Sequence, residues 1–485
     1  MSSSPVRRGA SRETQRRLSG LALFSVSCLV MLCVAAAPAP PAFGQEEPEY
    51  FPEDAPPPEE AAEPDAGMRP RFNWALEAKA HYRDSEEHRV AVPFPFSPEM
   101  LPPGAELGFA ETVNPGTHLE ISTVTLLLDA EWSPSLVAHA KLDFIDLYDR
   151  NPTSSDREFD VDEVWVRFGR ETDPALLPLD PGAYLKVGKF PKFERQDDRH
   201  LESYGLVSTA FNRFEDMGLE LGVDLGKHLY LKGSLTQGNP VFLRDPNALA
   251  GDNGIPELND ANPDPELGTG LTFLYDAEVE DLDADGEFEV GVGAGFRWAD
   301  VAGINGVDLL LFGNQRDLAD TVEIEGSFYG GDLDLLRGPL NLFPFPIDGR
   351  EKTEVGGNLW LYLGGFSLFG QYVDQDLAGL GRTGAEVELA WSFDLPLVAA
   401  TGGRQLFPAI APAVRYSALD ADFAAPPITP APTFAWDWER LDVGVRATIV
   451  SGIDLTVEYA FNDFTKSNGA TGSNDELLVT LRWRS

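Results

Sequence analysis

Residues 453–461 place an apolar side chain at each odd position, from Ile453 to Phe461, with Asp454, Thr456, Glu458 and the small Ala460 between them. Successive residues of a strand point to opposite faces, so the stretch predicts a ribbon with one greasy side and one wet side. The pattern recurs. Phe72, Trp74, Leu76, Ala78, Ala80 and Tyr82 share one phase, against Asn73, Glu77, Lys79 and His81. Val124, Leu126, Leu128, Ala130 and Trp132 alternate with Thr123, Thr125, Asp129 and Glu131. The same alternation runs through residues 136–144, 164–168, 288–298, 387–393 and 441–449.

No stretch beyond the first forty residues offers 18 consecutive apolar side chains, so helical membrane spans are excluded. A water-soluble sandwich would need a second sheet to cover every greasy face. This chain has too many one-sided strands for that, whereas hydrocarbon covers them all and closure removes the sheet edges. The fold expected is all-β: a transmembrane antiparallel β-barrel of 16 to 18 strands over residues 71–485. Eighteen strands result if the weaker stretches near Tyr184 and Thr321 count, sixteen if they do not. Tight links at Ser133-Pro134-Ser135, Gly226-Lys227-His228, Gly364-Gly365 and Ser451-Gly452 alternate with long polar links at residues 84–117, 149–160, 191–215, 238–268 and 420–433. Short periplasmic turns and long outer loops are the arrangement of such barrels, and both ends of the chain inside require an even strand number. Trp74, Trp132, Trp298, Trp391 and Trp483 fall on the lipid phase near strand ends, where an aromatic girdle would stand. Trp165 and Trp360 fall on the lumen phase.

The N-terminus supplies the compartment. Arg7, Arg8, Arg12, Arg16 and Arg17 precede an apolar run over 21–37, and Ala42-Phe43-Gly44 precedes Gln45. This predicts a signal peptide over residues 1–44 and export through it. Residues 45–70 are acidic and Pro-rich and cannot bury a core, which predicts a disordered periplasmic tail. Both cysteines, Cys28 and Cys33, lie in the leader, so the exported chain has no disulfide or thiolate metal site. The formal net charge of -42 excludes nucleic acid as a partner, because phosphate binding needs clustered Lys and Arg.

Several short motifs resemble the phosphate-selective porin O/P family of Gram-negative outer membranes. They are Leu185-Lys186-Val187-Gly188-Lys189-Phe190, Ala413-Val414-Arg415-Tyr416-Ser417, Asp442-Val443-Gly444-Val445 and Val457-Glu458-Tyr459. The resemblance spans residues 71–485 and implies a water-filled, 16-stranded, usually trimeric channel. The chain end departs from the usual aromatic terminus, since Arg484 and Ser485 follow Trp483.

A pore's chemistry lies in its wall charges and in any loop folded into it. The lumen phase carries Lys79, Lys141, Arg167, Lys186, Arg297, Arg415, Arg446 and Arg482, mixed with Glu77, Asp129, Glu131, Asp143, Glu163, Glu386, Glu388, Asp442, Asp454 and Glu458. The third outer link, residues 191–215, is the candidate constriction loop. Its Lys192, Arg195, Arg199 and Arg213 stand among Glu194, Asp197, Asp198 and Glu202. Turned inward, the basic set would attract anions and suit phosphate oxygens. An anion path is therefore expected over Lys192, Arg195, Arg199, Arg213, Lys79, Lys141, Arg167, Lys186, Arg415 and Arg446. Asp281 to Gly286 begins like a calcium loop but has Val292 where the twelfth-position Glu should stand, so it reads as an acidic periplasmic turn. The acidic outer link 252–266 is a place where divalent ions could bridge to lipopolysaccharide. The six His are scattered, with no nucleophile elbow and no His-Glu-x-x-His pair, so neither an enzyme nor a cofactor is expected. The expectation is an outer-membrane porin passing small hydrophilic solutes, anions such as phosphate among them, embedded in lipid and lipopolysaccharide as a homotrimer. The alternative is a non-conducting barrel with an adhesion, structural or lipid-modifying role, which a lumen filled by loops would favour.

Overall fold

The computed structural model describes residues 70–86, 89–92, 108–111, 116–145, 159–171, 181–193, 199–211, 215–238, 288–301, 304–317, 349, 351–397, 399–401, 404–423, 436–465, 469–473 and 475–485. The expected leader and all of the acidic tail but Pro70 lie outside them. Eighteen segments share one antiparallel sheet; two of them, Phe393–Asp394 and Thr471–Ser473, only prolong a neighbour's ladder, which leaves sixteen crossing strands. In chain order these are β1 (Arg71–Ser85), β2 (Gly116–Ser133), β3 (Leu136–Ile145), β4 (Phe159–Gly169), β5 (Ala183–Pro191), β6 (Glu215–Leu225), β7 (Leu229–Thr236) and β8 (Glu289–Val301). They continue as β9 (Ile304–Asp317), β10 (Glu351–Leu363), β11 (Phe366–Leu377), β12 (Leu380–Trp391), β13 (Ala409–Ala421), β14 (Asp437–Val450), β15 (Ile453–Thr465) and β16 (Glu476–Arg484). Each pairs with its sequence neighbours, and β1 pairs with both β2 and β16, so the sheet closes and has no edge.

Sixteen is the lower end of the expected range. The stretch near Tyr184 is a full strand, β5, while Thr321 lies outside the described residues. β7 pairs directly with β8. The acidic stretch 281–286, expected as a periplasmic turn, lies outside the described residues.

The closing seam explains the unusual terminus. Trp483 pairs with Ala78, and the chain runs on so that the Ser485 N–H donates to Leu76 O at 2.9 Å and the Leu76 N–H donates to Ser485 Oγ at 2.9 Å. Two residues past the aromatic position thus lengthen the seam. Turns at 134–135, 226–228, 364–365 and 451–452 stand at the end of the barrel where its first strand begins and its last one finishes, here called the terminal end. Ala378-Gly379 is a tight turn at the loop end, both residues having positive φ (53° and 93°), which suits a hairpin of right-handed twist.

Alternation holds across the described wall. Outward positions along the middle of the strands are mostly apolar and turn polar toward the loop end, as at Gln315, Thr353 and Asp374, while inward positions carry most of the charges. On β8 the inward positions 291, 293 and 295 are glycines; a Cβ at 293 would lie 3.1 Å from the Phe193 ring, and one at 295 would strike the Tyr230 ring. Bulk on neighbouring elements replaces bulk on this strand. Trp74, Trp132, Trp298, Trp391 and Trp483 all sit toward the terminal end, with Trp391 stacked on Phe393 at 5.4 Å and edge-on to Phe366 at 6.1 Å. Tyr82, Phe144, Phe159 and Phe461 form the facing set near the loop end. Phe461 lies eight residues along β15 from Ile453, which is level with Trp483. At ~3.3 Å per residue and ~40° tilt this separates the two girdles by roughly 20 Å along the barrel axis, close to the apolar band of a transmembrane barrel.

Candidate functional site

Of the expected constriction loop, residues 191–215, the described parts turn into the barrel. The loop leaves β5 at Pro191, Lys192 and Phe193 are buried, and residues 199–211 lie on the far inner wall along β12 to β16 and β1. Its one helical turn, α1 (Leu206–Ala210), has Gly205 before it and no side-chain cap. Wall side chains supply the missing partners. The Glu458 carboxylate accepts the N–H groups of Glu202 at 2.9 Å and Ser203 at 2.7 Å. Glu388 accepts the His200 N–H at 2.8 Å, and Ser417 Oγ accepts the Leu206 N–H at 3.3 Å.

One buried ion cluster lies beneath this row. Arg415 meets Asp442 through Nε at 2.9 Å and Nη2 at 2.8 Å, Arg440 Nε reaches the other Asp442 oxygen at 2.7 Å, and Glu388 stands 3.6 Å from Arg415 Nη1. Arg415 also donates to the Ser203 carbonyl at 2.8 Å and its hydroxyl at 2.7 Å. Buried charges survive only when paired and hydrogen-bonded, and here the loop completes the bonding.

Two apolar contacts finish the seat. Leu201 packs with Ala390 and Ala413. Leu206, Val207, Ala210 and Phe211 join a cluster of wall side chains that includes Phe312, Val373, Leu419, Trp438 and Phe464, with Trp436 beside them. Trp436, Trp438 and Phe464 stack on one another at 5.0–5.8 Å. Gly384 is required here, since a Cβ on it would fall 2.5 Å from Phe211 Cε2.

Of the ten basic residues expected on an anion path, Arg195 and Arg213 lie outside the described residues. The others divide into groups. Lys79 and Arg446 converge on the loop carboxylate Glu202, at 3.3 and 3.0 Å, joined by Arg482 at 3.3 Å. Arg199 lies next to them: its carbonyl accepts from Arg446 at 3.4 Å and its guanidinium covers the Tyr204 ring at 3.6 Å. Glu77 and Asp454 flank this arc, 3.5 Å from Lys79 and 2.8 Å from Arg482. Burial pushes the Glu202 carboxyl up, but Lys79, Arg446, Arg482 and Arg199 outweigh it and hold the group down at about 2.

Arg167 and Lys186 meet at Glu171, on the terminal-end connection, at 3.5 and 3.3 Å, with Lys232 at 3.5 Å. These three cations overcome the burial of Glu171 and lower it to about 2. Lys186 also lies 5.1 Å above the Trp165 ring, which confirms the lumen phase of that tryptophan. Trp360 likewise packs inside, against the apolar cluster. The remaining three basic residues are neutralised singly. Lys192 is buried between Glu289 and Asp216, Lys141 is paired with Asp162 and Asp143, and Arg415 is bound as above. The residues of the expected path thus fall into two basic groups and three separate sites in which Lys192, Lys141 and Arg415 each face two carboxylates.

Sequence phase missed Glu171, Lys232, Lys352 and Ser203. Lys232 and Lys352 lie on the inward phase of β7 and β10, a signal that was present in the alternation of those strands. Glu171 and Ser203 lie in connections, where no periodicity marks an inward side chain. His139 faces the lumen, 2.8 Å from Asp129 and stacked on Trp165 at 5.0 Å. The carboxylates of Asp162, Glu163 and Glu215 approach one another closely enough for a cation, but Lys141 already occupies Asp162.

No family model matches the chain, and no curated protein matches it, so the likeness to the O/P porins rests on the short motifs alone. Among solved structures, the chain is similar to OmpT, an outer membrane protein of Vibrio cholerae, at 10% identity over 88% of this chain and 100% of that one, with a TM-score of 0.42. It is similar to the outer membrane channel DcaP of Acinetobacter baumannii at 8% identity over 86% and 98%, with a TM-score of 0.45. It is also similar to the anion-selective porin from Comamonas acidovorans at 8% identity over 86% and 100%, with a TM-score of 0.43.

Proposed function

We propose that the protein is an outer-membrane porin, a water-filled channel for passive diffusion of small hydrophilic solutes. The observation that carries this reading is the inturned loop: residues 199–211 are seated halfway down the wall of a closed, outwardly apolar barrel. A loop so placed narrows a pore without sealing it to any one solute. Anion passage is the finer part of the proposal. It rests on the arc of Lys79, Arg199, Arg446 and Arg482, four cations around Glu202, Glu77 and Asp454. Lys192, Lys141 and Arg415 are cancelled by close carboxylates, which leaves the group of Arg167, Lys186 and Lys232 around Glu171 as the other basic patch, so the preference expected is modest, with phosphate one of the anions that enter. The loop end faces outward after signal-peptide export, and the assembly is a homotrimer, as the O/P resemblance implies.

Swelling of proteoliposomes in sugars of rising size tests passage, and the reversal potential in a potassium chloride gradient, repeated with phosphate, tests charge preference. Swelling with a potential on the cation side would remove the anion part and keep the porin. One observation favours a second reading. The apolar cluster of Phe211, Trp436, Trp438 and Phe464 fills part of the lumen, as in a non-conducting barrel with an adhesion, structural or lipid-modifying role. Absence of swelling from folded protein would select it.

A further inference from the structure

Most connections at the terminal end are two or three residues long, but β12 and β13 run on beyond the barrel sheet. Phe393–Asp394 still pairs with Ile410 and Ala409, and then Ala399–Thr401 and Arg404–Leu406 form a separate two-stranded ribbon. It is tied down at its base. The Leu395 N–H donates to Pro408 O at 2.8 Å, Gln405 Nε2 donates to Leu395 O at 2.9 Å, and the Phe407 N–H donates to Ile449 O at 2.9 Å.

A ribbon standing in water should be polar. This one runs Leu395-Pro396-Leu397-Val398-Ala399-Ala400, then Thr401-Gly402-Gly403-Arg404-Gln405, then Leu406-Phe407-Pro408, so both its flanks are apolar and Arg404 is its one charge. In a chain with 79 acidic residues, residues 395–408 hold none. Leu397 is 70% exposed and Phe407 47% exposed. Phe407 is also held at a φ of 54°, a left-handed conformation unfavourable for a bulky aromatic residue, while its ring faces outward. The ribbon starts immediately below the stacked Trp391 and Phe393 of the terminal-end girdle, so its apolar surface continues the belt that faces hydrocarbon.

We propose that this ribbon is an interfacial anchor that lies on the phospholipid leaflet at the terminal end of the barrel. Leu397 and Phe407 dip below the headgroups and the Arg404 guanidinium binds a lipid phosphate. Lipid is the occupant that continuity with the girdle and the lone cation select. The inference rests on the barrel's standing in a bilayer, and the test separates the two.

The test places a nitroxide label singly at Leu397→Cys and Phe407→Cys, with Cys28 and Cys33 changed to serine. The protein is reconstituted in vesicles of phosphatidylethanolamine and phosphatidylglycerol. Collision with oxygen is compared with collision with a water-soluble nickel chelate. Reference labels go on Val443, outward on β14, and on Lys227, in a terminal-end turn. The oxygen-to-nickel ratio at 397 and 407 should exceed that at Lys227 by about fivefold, and Arg404→Glu should reduce it at least about twofold. A ratio equal to that at Lys227, with Val443 still in lipid, overturns the anchor and leaves the barrel intact. Nickel access at Val443 overturns both. Spin–spin broadening that vanishes on dilution with unlabelled protein would show a second copy on the ribbon, and also overturns the proposal.

Discussion

Arg415 and Ser203 are 212 positions apart in sequence and meet twice inside the barrel, guanidinium to carbonyl at 2.8 Å and guanidinium to hydroxyl at 2.7 Å. The wall residue belongs to β13 and its partner to the inturned loop, so a single side chain joins the wall's ion cluster to the constriction. Replacing Arg415 with Gln leaves Asp442 and Glu388 short of a cation in a buried place. Breaking one partner from such a cluster costs about 3–5 kcal/mol. The loss falls on the loop seat, because the ladders of β12, β13 and β14 are made by backbone. R415Q is expected to fold as a barrel, to keep its heat-modifiable migration, and to show larger and noisier single-channel conductance than the parent.

The apolar half of the seat can be removed without touching charge. A side chain at Gly384 would occupy the space of the Phe211 ring, 2.5 Å from Cε2, and of Val207, 3.1 Å from Cγ2. Gly384→Leu should expel α1 from the wall and raise conductance, while Gly364→Ala, at a turn with nothing within 4 Å, leaves conductance unchanged. Its positive φ of 60° makes the control slightly less stable, by about 1 kcal/mol.

Glu202 ties loop position to pH. Its ordinary value is 4.5 and its folded value about 2. A carboxylate with a depressed folded pKa gives stability that is present above the unfolded value and lost as pH falls through the folded one. The difference corresponds to roughly 3 kcal/mol of seat stability, on the order of a buried ion pair. The Glu202 contribution to the seat should therefore be constant from pH 7 down to about 5, and conductance should rise as pH falls from about 4 toward 2. Glu202→Gln should remove that acid rise. Because four cations would then face one fewer carboxylate, the same change should also shift the reversal potential toward anions.

The outer half of this architecture was legible in the sequence. Hydrocarbon demands an apolar side chain at every second position, and that demand leaves a period that needs no knowledge of partners. Ile453 to Phe461 and Phe72 to Tyr82 show it, and both lie in strands with the predicted face outward. The inner half was legible only as phase. Arg415 reads as a lumen charge from its position between Val414 and Tyr416, but its pairing with Asp442 and Ser203, and the sharing of Asp442 with Arg440, are set by closure of the sheet and by the loop. Lys192 looked like a field source for anions and is instead buried against Glu289, 97 positions away. Residues 199–211 carry no strand period: they bind the wall partly through backbone N–H groups, which every sequence has, and partly through side chains whose partners are set by the closed sheet. The strand number, expected between 16 and 18, is sixteen, because Phe393–Asp394 and Thr471–Ser473 only prolong a neighbour's ladder.

The central claim is that water passes the inturned loop. Purified, heat-modifiable protein inserted into planar bilayers should give discrete, uniform conductance steps, and R415Q should give larger ones. A folded barrel that inserts yet yields no steps in either form would contradict the account.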